Sequence, residues 1–254
     1  MEKASERDGA WRVPIMAAML AGGEGRRLGG LPKEGILLEG EALGLRLAKA
    51  LRRSFRDIIV ITKNERLYEG TGALVSPDLR PGFGPLSGLH AALSQARDLH
   101  DRRATKALAD REGPPDDAKP WIWLAACDMP RFDPRLVDIL ASELVETGPS
   151  AEGSSATRPL ACVTSFGGHF EPFQALYSIE LLPTLEALFA EAAEASTSQE
   201  RKSRPGHGPR RPSFKDLFAL VPVAYVAEER VRAISPDWEL FFNINTPEDL
   251  GRLA

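Results

Sequence analysis

The chain has 254 residues, 43% hydrophobic and 27% charged, a balance that suits one large or two small globular domains with a sizeable core. A net charge of -4 excludes a protein built as a whole to condense on nucleic acid or an anionic membrane, so phosphate chemistry must rest on local groups. The two cysteines, Cys127 and Cys162, form neither a disulfide framework nor a zinc spacing, and both read as buried free thiols of a reducing compartment.

The first stretch, "MEKASERDGAWRVP", is polar and has no apolar signal-peptide centre, and residues 1–12 are expected to be disordered. No run approaches the roughly 18 apolar residues of a membrane span, so a cytoplasmic protein is expected. "IMAAMLA" (Ile15 to Ala21) is a short continuous apolar run that stops at Gly22-Gly23, as a buried parallel strand does. Leu43, Leu47, Ala50 and Leu51 then recur with helical spacing, and "DIIVIT" reads as a second buried strand. "GALVSPD" ends a third, and "PLSGLHAALSQARDL" predicts a helix opening on a proline. "WIWLAACDMP" is a fourth strand, followed by a helix with Asp133 as N-cap and Pro134 at its first position. "PLACVTSF" and "FQALYS" are further strand candidates, "LLPTLEALFAEAAEA" is helical, and "FALVPVAYV" contains another strand. "FFNINTPEDL" predicts a strand-like segment and then a helix capped by Thr246 with Pro247 at its first position.

Strands alternating with helices imply an α/β fold: a mostly parallel central sheet with helices on both faces, three layers in all. One domain over 1–254 is expected, interrupted by two charged or basic insertions at about 97–120 and 196–212, which read as solvated or mobile. In such sheets ligands bind beyond the carboxyl ends of the strands. Gly22-Gly23, Asp78 and Asp128 all fall there.

The stretch "MLAGGEGRRLGGLPKEG" is neither a Walker A loop, because Lys33 lies between Pro32 and Glu34, nor a dinucleotide fingerprint, because the third position is Leu28. Its glycines would let backbone amides approach an anion, and Arg26, Arg27 and Lys33 add positive charge. Asp128, straight after an apolar strand, is placed to bind a hard cation such as Mg²⁺ together with phosphate oxygens. Gly82, Gly84 and Gly88 surround a helix start where the chain can pass close to a ligand, whereas His90 within that helix reads as a packed residue. Asn243 and Asn245 put amides at alternate positions of one segment. This combination suits displacement at a nucleotide phosphate, where positioning and charge neutralisation do most of the catalysis.

"LAGGEGRRLGGLPK" resembles the opening signature of nucleotidyltransferases that activate sugars, isoprenoid precursors and molybdopterin, and is most similar to the molybdenum cofactor guanylyltransferases of the MobA-type family. "PDLRPGFGPLSGLHAAL", "AACDMPRF" and "FFNINTPEDL" resemble later motifs of that family in the expected order. The resemblance implies a Rossmann-like fold and transfer of GMP from GTP to molybdopterin-bound molybdenum, with release of pyrophosphate. It implies that Leu20, Ala21, Gly22 and Gly23 meet the nucleotide through their backbone, and that Asn64 and Asp78 also line its site. Lys33 and Arg27 would act on the phosphates, Asp128 would bind Mg²⁺, Gly84 would lie near the second substrate, and Asn243 and Asn245 would lie near the metal or that substrate. Transient docking to proteins that make or accept the cofactor is expected as well.

Three features depart from the family pattern. Pro32 precedes the lysine where aspartate is common, Glu171-Pro172 stands in place of His-Pro, and the register of Asn64 is open. Two alternatives therefore stand beside the guanylyltransferase reading. One is a related transferase using CTP or acting on a sugar phosphate; the other is a non-catalytic nucleotide-binding or docking protein.

Overall fold

The computed structural model describes residues 13–22, 32–110, 118–146, 158–197 and 211–252. The expected tail at 1–12, Gly23, Arg26, Arg27 and most of the second insertion lie outside the described residues. The chain order is β1 (Ile15–Leu20), β2 (Leu37–Leu38), β3 (Glu41–Ala42), α1 (Leu43–Arg52), β4 (Ile58–Ile61), β5 (Leu74–Ser76) and α2 (Pro85–Asp110). There follow β6 (Trp121–Ala126), α3 (Pro134–Glu146), β7 (Ala161–Phe166), β8 (His169–Ser178), α4 (Leu182–Thr197), α5 (Phe214–Phe218), β9 (Val223–Val226), α6 (Glu228–Arg232) and α7 (Pro247–Gly251).

Seven strands form one mixed sheet in the order β5-β4-β1-β6-β8-β7-β9. The block β5-β4-β1-β6 is parallel, as is β7 with β9, while β8 runs antiparallel to both of its neighbours. The central strands are buried on both faces, which is why they read as unbroken apolar runs. Their side chains alternate between two cores. Ile15, Ala17, Met19, Trp121 and Trp123 face α1 and α3, where Leu47, Leu51, Leu136 and Leu140 close over them. Met16, Ala18, Ile122 and Leu124 face the other way, onto Leu89 and Leu93 of α2, Leu185 and Phe189 of α4 and Leu217 of α5. At about 1.5–3 kcal/mol per fully buried large apolar side chain, these two faces supply most of the driving force for folding.

The packing also sets where the strand ends meet. A Cβ on Gly88 would come within 2.7 Å of Leu20 Cδ1, so this glycine lets the first turn of α2 close against the end of β1. That explains Gly88 by helix-on-strand packing rather than by approach to a ligand. Gly84, at φ +61°, turns the chain into α2, and Ser87 organises the preceding loop by accepting from Phe83 N–H and donating to the Arg80 carbonyl.

Two expectations change. Helix α2 continues to Asp110, so the charged segment that begins at Arg97 is helical over its first half; its polar residues coat the outer turns of a helix whose first half is buried. Asn243 and Asn245 do not lie in a strand. They follow a 3-10 turn at Glu239–Phe241, and the amide of Ile244 between them donates to the Asp128 carbonyl at 2.9 Å rather than to a sheet ladder. The expected cap of the last helix is present: Thr246 and Asp249 form a reciprocal capping box. No described helix is long and apolar enough to cross a membrane.

Candidate active site

Along the carboxyl ends of β5, β4, β1 and β6 stand Asp78, Asn64, Gly22 and Asp128, in the order in which the strands lie side by side. The end of β1 is held from both sides. Ala21 N–H donates to the Ile61 carbonyl of β4, and the Leu20 carbonyl accepts from Cys127 N–H beyond β6, each at 3.0 Å. Leu20 and Ala21 thus spend a backbone group each on the sheet, and exposed Gly22 is the first residue past it.

The centre of the site is Lys33. It opens a short 3-10 turn, Lys33–Gly35, and its ammonium donates to Asp128 Oδ2 at 2.6 Å, Asn245 Oδ1 at 2.9 Å and the Ile244 carbonyl at 3.2 Å. Three segments far apart in sequence meet there. Asp128 and Lys33 are each about one-fifth exposed, which leaves the pair open on one side. An ammonium has three hydrogens, and all three are committed here. Ile244 anchors the arrangement from below, fully buried with Ile36, Leu38 and Leu43. An ion pair between Arg131 and Glu239 ties the Asp128 turn to the closing segment on the outside.

The position of Lys33 depends on a residue that no local pattern singles out. Glu34 is buried, and its carboxylate accepts from Thr62 Oγ1 and from Tyr68 Oη, both at 2.8 Å. Thr62 Oγ1 also accepts from Asn64 N–H, joining the lysine turn to the loop after β4. Burial, together with the nearby Glu34 carboxylate, raises the Tyr68 phenol far above its usual range, so Tyr68 stays a donor at any pH the protein meets. Gly44 makes room: a Cβ there would lie 2.2 Å from Tyr68 Oη and 3.1 Å from Glu34 Cβ. The partners of Glu34 are 28 and 34 residues away, so no local pattern could have revealed them.

On the far side of Asp128 lies Glu171, at the start of β8. The antiparallel register of β6 with β8 pairs Leu124 with Ala175, and running it forward brings Glu171 level with the Asp128 turn. Between them β8 is irregular: Gln174 has φ +50°, and its buried side-chain amide donates to the Leu240 carbonyl. Burial raises the Glu171 carboxyl above its ordinary value of 4.5; the Phe173 amide lowers it in part, and the Asp128 charge raises it further. Asp78 is exposed, yet partial desolvation raises its carboxyl, opposed by Lys63. His90 is buried between α2 and α4 beside Phe189 and Glu186, with its pKa lowered mainly by burial, as a packed residue. Both cysteines are buried and free, and burial raises their thiols well above the usual range.

Asn243 is exposed beside Ile244, and Gly84 lies in the loop ahead of α2. Of the expected site residues, the structure thus brings Lys33, Asp128 and Asn245 into contact, and sets Leu20, Ala21, Gly22, Asn64 and Asp78 along the same rim. Gly23 and Arg27 lie outside the described residues. No group of three or more His, Cys, Asp or Glu that could hold a metal occurs among the described residues. The oxygens around Lys33 Nζ are one carboxylate, one amide and one carbonyl. Such a hard, all-oxygen donor set fits Mg²⁺, which completes its shell with phosphate oxygens and water rather than with a full protein cage.

A mostly parallel sheet with a lysine–aspartate pair at the carboxyl ends of its strands is an arrangement suited to nucleotide phosphates and a hard cation. Residues 17–204 match the family model of the MobA-like NTP transferase domain, and the chain belongs to that family. It is 32% identical to a probable molybdenum cofactor guanylyltransferase of Pelotomaculum thermopropionicum, over 91% of this chain and 88% of that protein. It is 28% identical to the molybdenum cofactor guanylyltransferase of Syntrophotalea carbinolica, over 93% and 89%. Among solved structures, molybdopterin-guanine dinucleotide biosynthesis protein A of Archaeoglobus fulgidus superposes with a TM-score of 0.63 at 23% identity, covering 93% of this chain and 95% of that one. The 2-C-methyl-D-erythritol 4-phosphate cytidylyltransferase of Francisella tularensis shares the fold at a TM-score of 0.53 and 12% identity, covering 94% and 97%.

Two outcomes follow from this geometry. Gly44→Ala drives a methyl into Tyr68 Oη and is expected to cost about 1–3 kcal/mol in urea denaturation, as overpacking does; Tyr68→Phe in the same chain should recover part of it. Glu171 has a folded pKa above its unfolded value, so its contribution is intact below pH 4.5 and is lost as pH rises through the folded value. Glu171→Gln has no charge to desolvate, and should therefore raise Tm at about pH 7 and give no gain at about pH 4, read by thermal melts across that range.

Proposed function

We propose that this enzyme transfers GMP from GTP to molybdopterin carrying its metal, giving the guanine dinucleotide form of the cofactor and pyrophosphate. The observation that carries the reading is the convergence of Lys33, Asp128 and Asn245 at the carboxyl edge of the sheet. The row from β5 to β6 spans three strand spacings, about 14 Å at roughly 4.8 Å each, a length that suits an extended nucleoside triphosphate. In this reading the base lies toward Asn64 and Asp78, and the phosphates lie by Gly22 and Lys33. The fold is shared with a cytidylyltransferase, so fold alone does not choose the base. Support for guanine comes from the relatives at 28% and 32% identity, both named as guanylyltransferases.

The reaction needs an in-line displacement. A terminal phosphate oxygen of the pterin forms a bond to the α-phosphorus of GTP, and the bond from that phosphorus to the bridging oxygen breaks as pyrophosphate leaves with the electron pair. The chain's part is positioning and charge. Lys33 brings a mobile positive charge to the phosphates, held at its base by the Glu34 contacts. Asp128 and Asn245 present oxygens that would hold Mg²⁺, and when bound the ion supplies neutralisation of the phosphate charge. Arg27, four residues after Gly23 in the chain, would add a second positive charge, and Asn243 and Gly84 would border the pterin. The whole chain then serves as one catalytic domain in the cytoplasm. Transient docking to proteins that deliver the pterin or accept the product belongs to the same proposal.

Calorimetric titration with GTP, CTP, ATP and UTP in Mg²⁺ tests it. GTP should bind selectively, Asp128→Ala should weaken that binding by on the order of tenfold or more, and pyrophosphate should appear only when molybdopterin is added. Preference for another nucleotide would overturn the base assignment, and GTP binding with no pyrophosphate release would overturn the reaction.

A further inference from the structure

The Lys33 ammonium is surrounded by the same oxygens that suit a divalent cation. Asp128 Oδ2, Asn245 Oδ1 and the Ile244 carbonyl meet at its Nζ within 2.6–3.2 Å, and the ammonium spends all three of its hydrogens on them. A lysine in that state has no donor left for a phosphate. A cation at Asp128 would in turn face a positive charge 2.6 Å from one oxygen of the carboxylate that holds it. Lys33 cannot serve the phosphates while this contact stands, and the contact opposes a cation at Asp128.

We infer that Lys33 is an internal counter-ion that occupies the cation position of the resting enzyme, and that it leaves when the metal arrives with the nucleoside triphosphate. The nucleotide makes the exchange favourable, because its phosphates give the displaced ammonium a new set of anionic acceptors. A free divalent cation brings no such replacement, so it competes poorly with Lys33. The exchange needs only side-chain rotation. Glu34 is buried between Thr62 and Tyr68 and holds the backbone of the lysine turn, while the four-carbon stem of Lys33 carries its charge from one acceptor set to the other. The lysine also protects Asp128: with the ammonium in place, the carboxylate is never left partly buried and unpaired between turnovers.

This inference rests on the nucleotidyltransferase reading for its second acceptor set, but its test does not require turnover. Binding of free Mn²⁺, a spectroscopic stand-in for Mg²⁺, is measured by electron paramagnetic resonance without nucleotide on the full chain. Lys33→Met keeps the stem and removes the charge. It should bind Mn²⁺ on the order of tenfold or more tighter than the wild type, the size expected when one charge-assisted contact no longer competes. Adding Asp128→Asn to Lys33→Met should abolish that gain. In the wild type, GTP should raise Mn²⁺ affinity far more than it does in Lys33→Met. If Lys33→Met binds Mn²⁺ no better than the wild type, or if the gain survives Asp128→Asn, the exchange is wrong. Lys33→Gln serves as the second variant should the methionine form melt early. Pyrophosphate release by the wild type reports separately on the reaction, so the two readings can fail independently.

Discussion

The hydrogen-bonded ion pair between Lys33 and Asp128, extended by Asn245 and the Ile244 carbonyl, joins three parts of the chain that share no sheet pairing. Lys33 comes from a turn after β1, Asp128 from the end of β6 and Asn245 from the segment ahead of α7. Each is placed by its own scaffold. The Glu34 carboxylate sets the lysine turn, the central sheet sets Asp128, and the Ile244 core contact sets the asparagine. The site therefore exists only when three independent packing solutions agree. A charged pair that is only partly buried contributes little to stability by itself. Its significance lies in where it holds charge, at the carboxyl edge of the sheet.

That arrangement accounts for the economy of the site. The described residues contain no preformed cage for a metal, and the oxygens that could hold one are occupied by the lysine. If Lys33 exchanges with the cation as inferred, the site resists ions that come alone and accepts those that arrive with a phosphate chain. The lysine's charge is held at the edge of the sheet by one anionic and two neutral oxygens. Neighbouring groups follow the opposite rule. Glu171, level with Asp128, is disfavoured as an anion first by burial and then by the Asp128 charge, so its carboxyl lies above the ordinary value.

Glycines divide the work between backbone freedom and space. Gly84 is needed for its positive φ at the entry to α2. Gly88 and Gly44 are needed because a methyl would strike Leu20 in one case and Tyr68 in the other. The motif around Gly88 looks like a ligand loop in the sequence, yet its tightest contact is with the protein's own β1. A glycine-rich string does not distinguish these uses, since both require only the absence of a Cβ.

The sequence by itself determined the layered α/β architecture, because strands buried on both faces must be continuous apolar runs and capped amphipathic helices must alternate with them. It also determined that Gly22, Asp78 and Asp128 share one rim, because parallel strands end on the same side. Only the tertiary structure decided that Lys33 bonds to Asp128 across 95 residues and to Asn245 across 212, since neither spacing has a local period. It alone decided that Glu34 is a buried anchor rather than a surface charge, since its two hydroxyl partners come from a strand end and a turn that fold over it. The asparagine segment, strand-like in composition, became a loop because the amide of Ile244 found its acceptor on the Asp128 turn instead of on a neighbouring strand. Periodicity is set by each element's own burial, whereas contacts between elements are set by how those elements pack, and the chemistry of this site lies in the second kind.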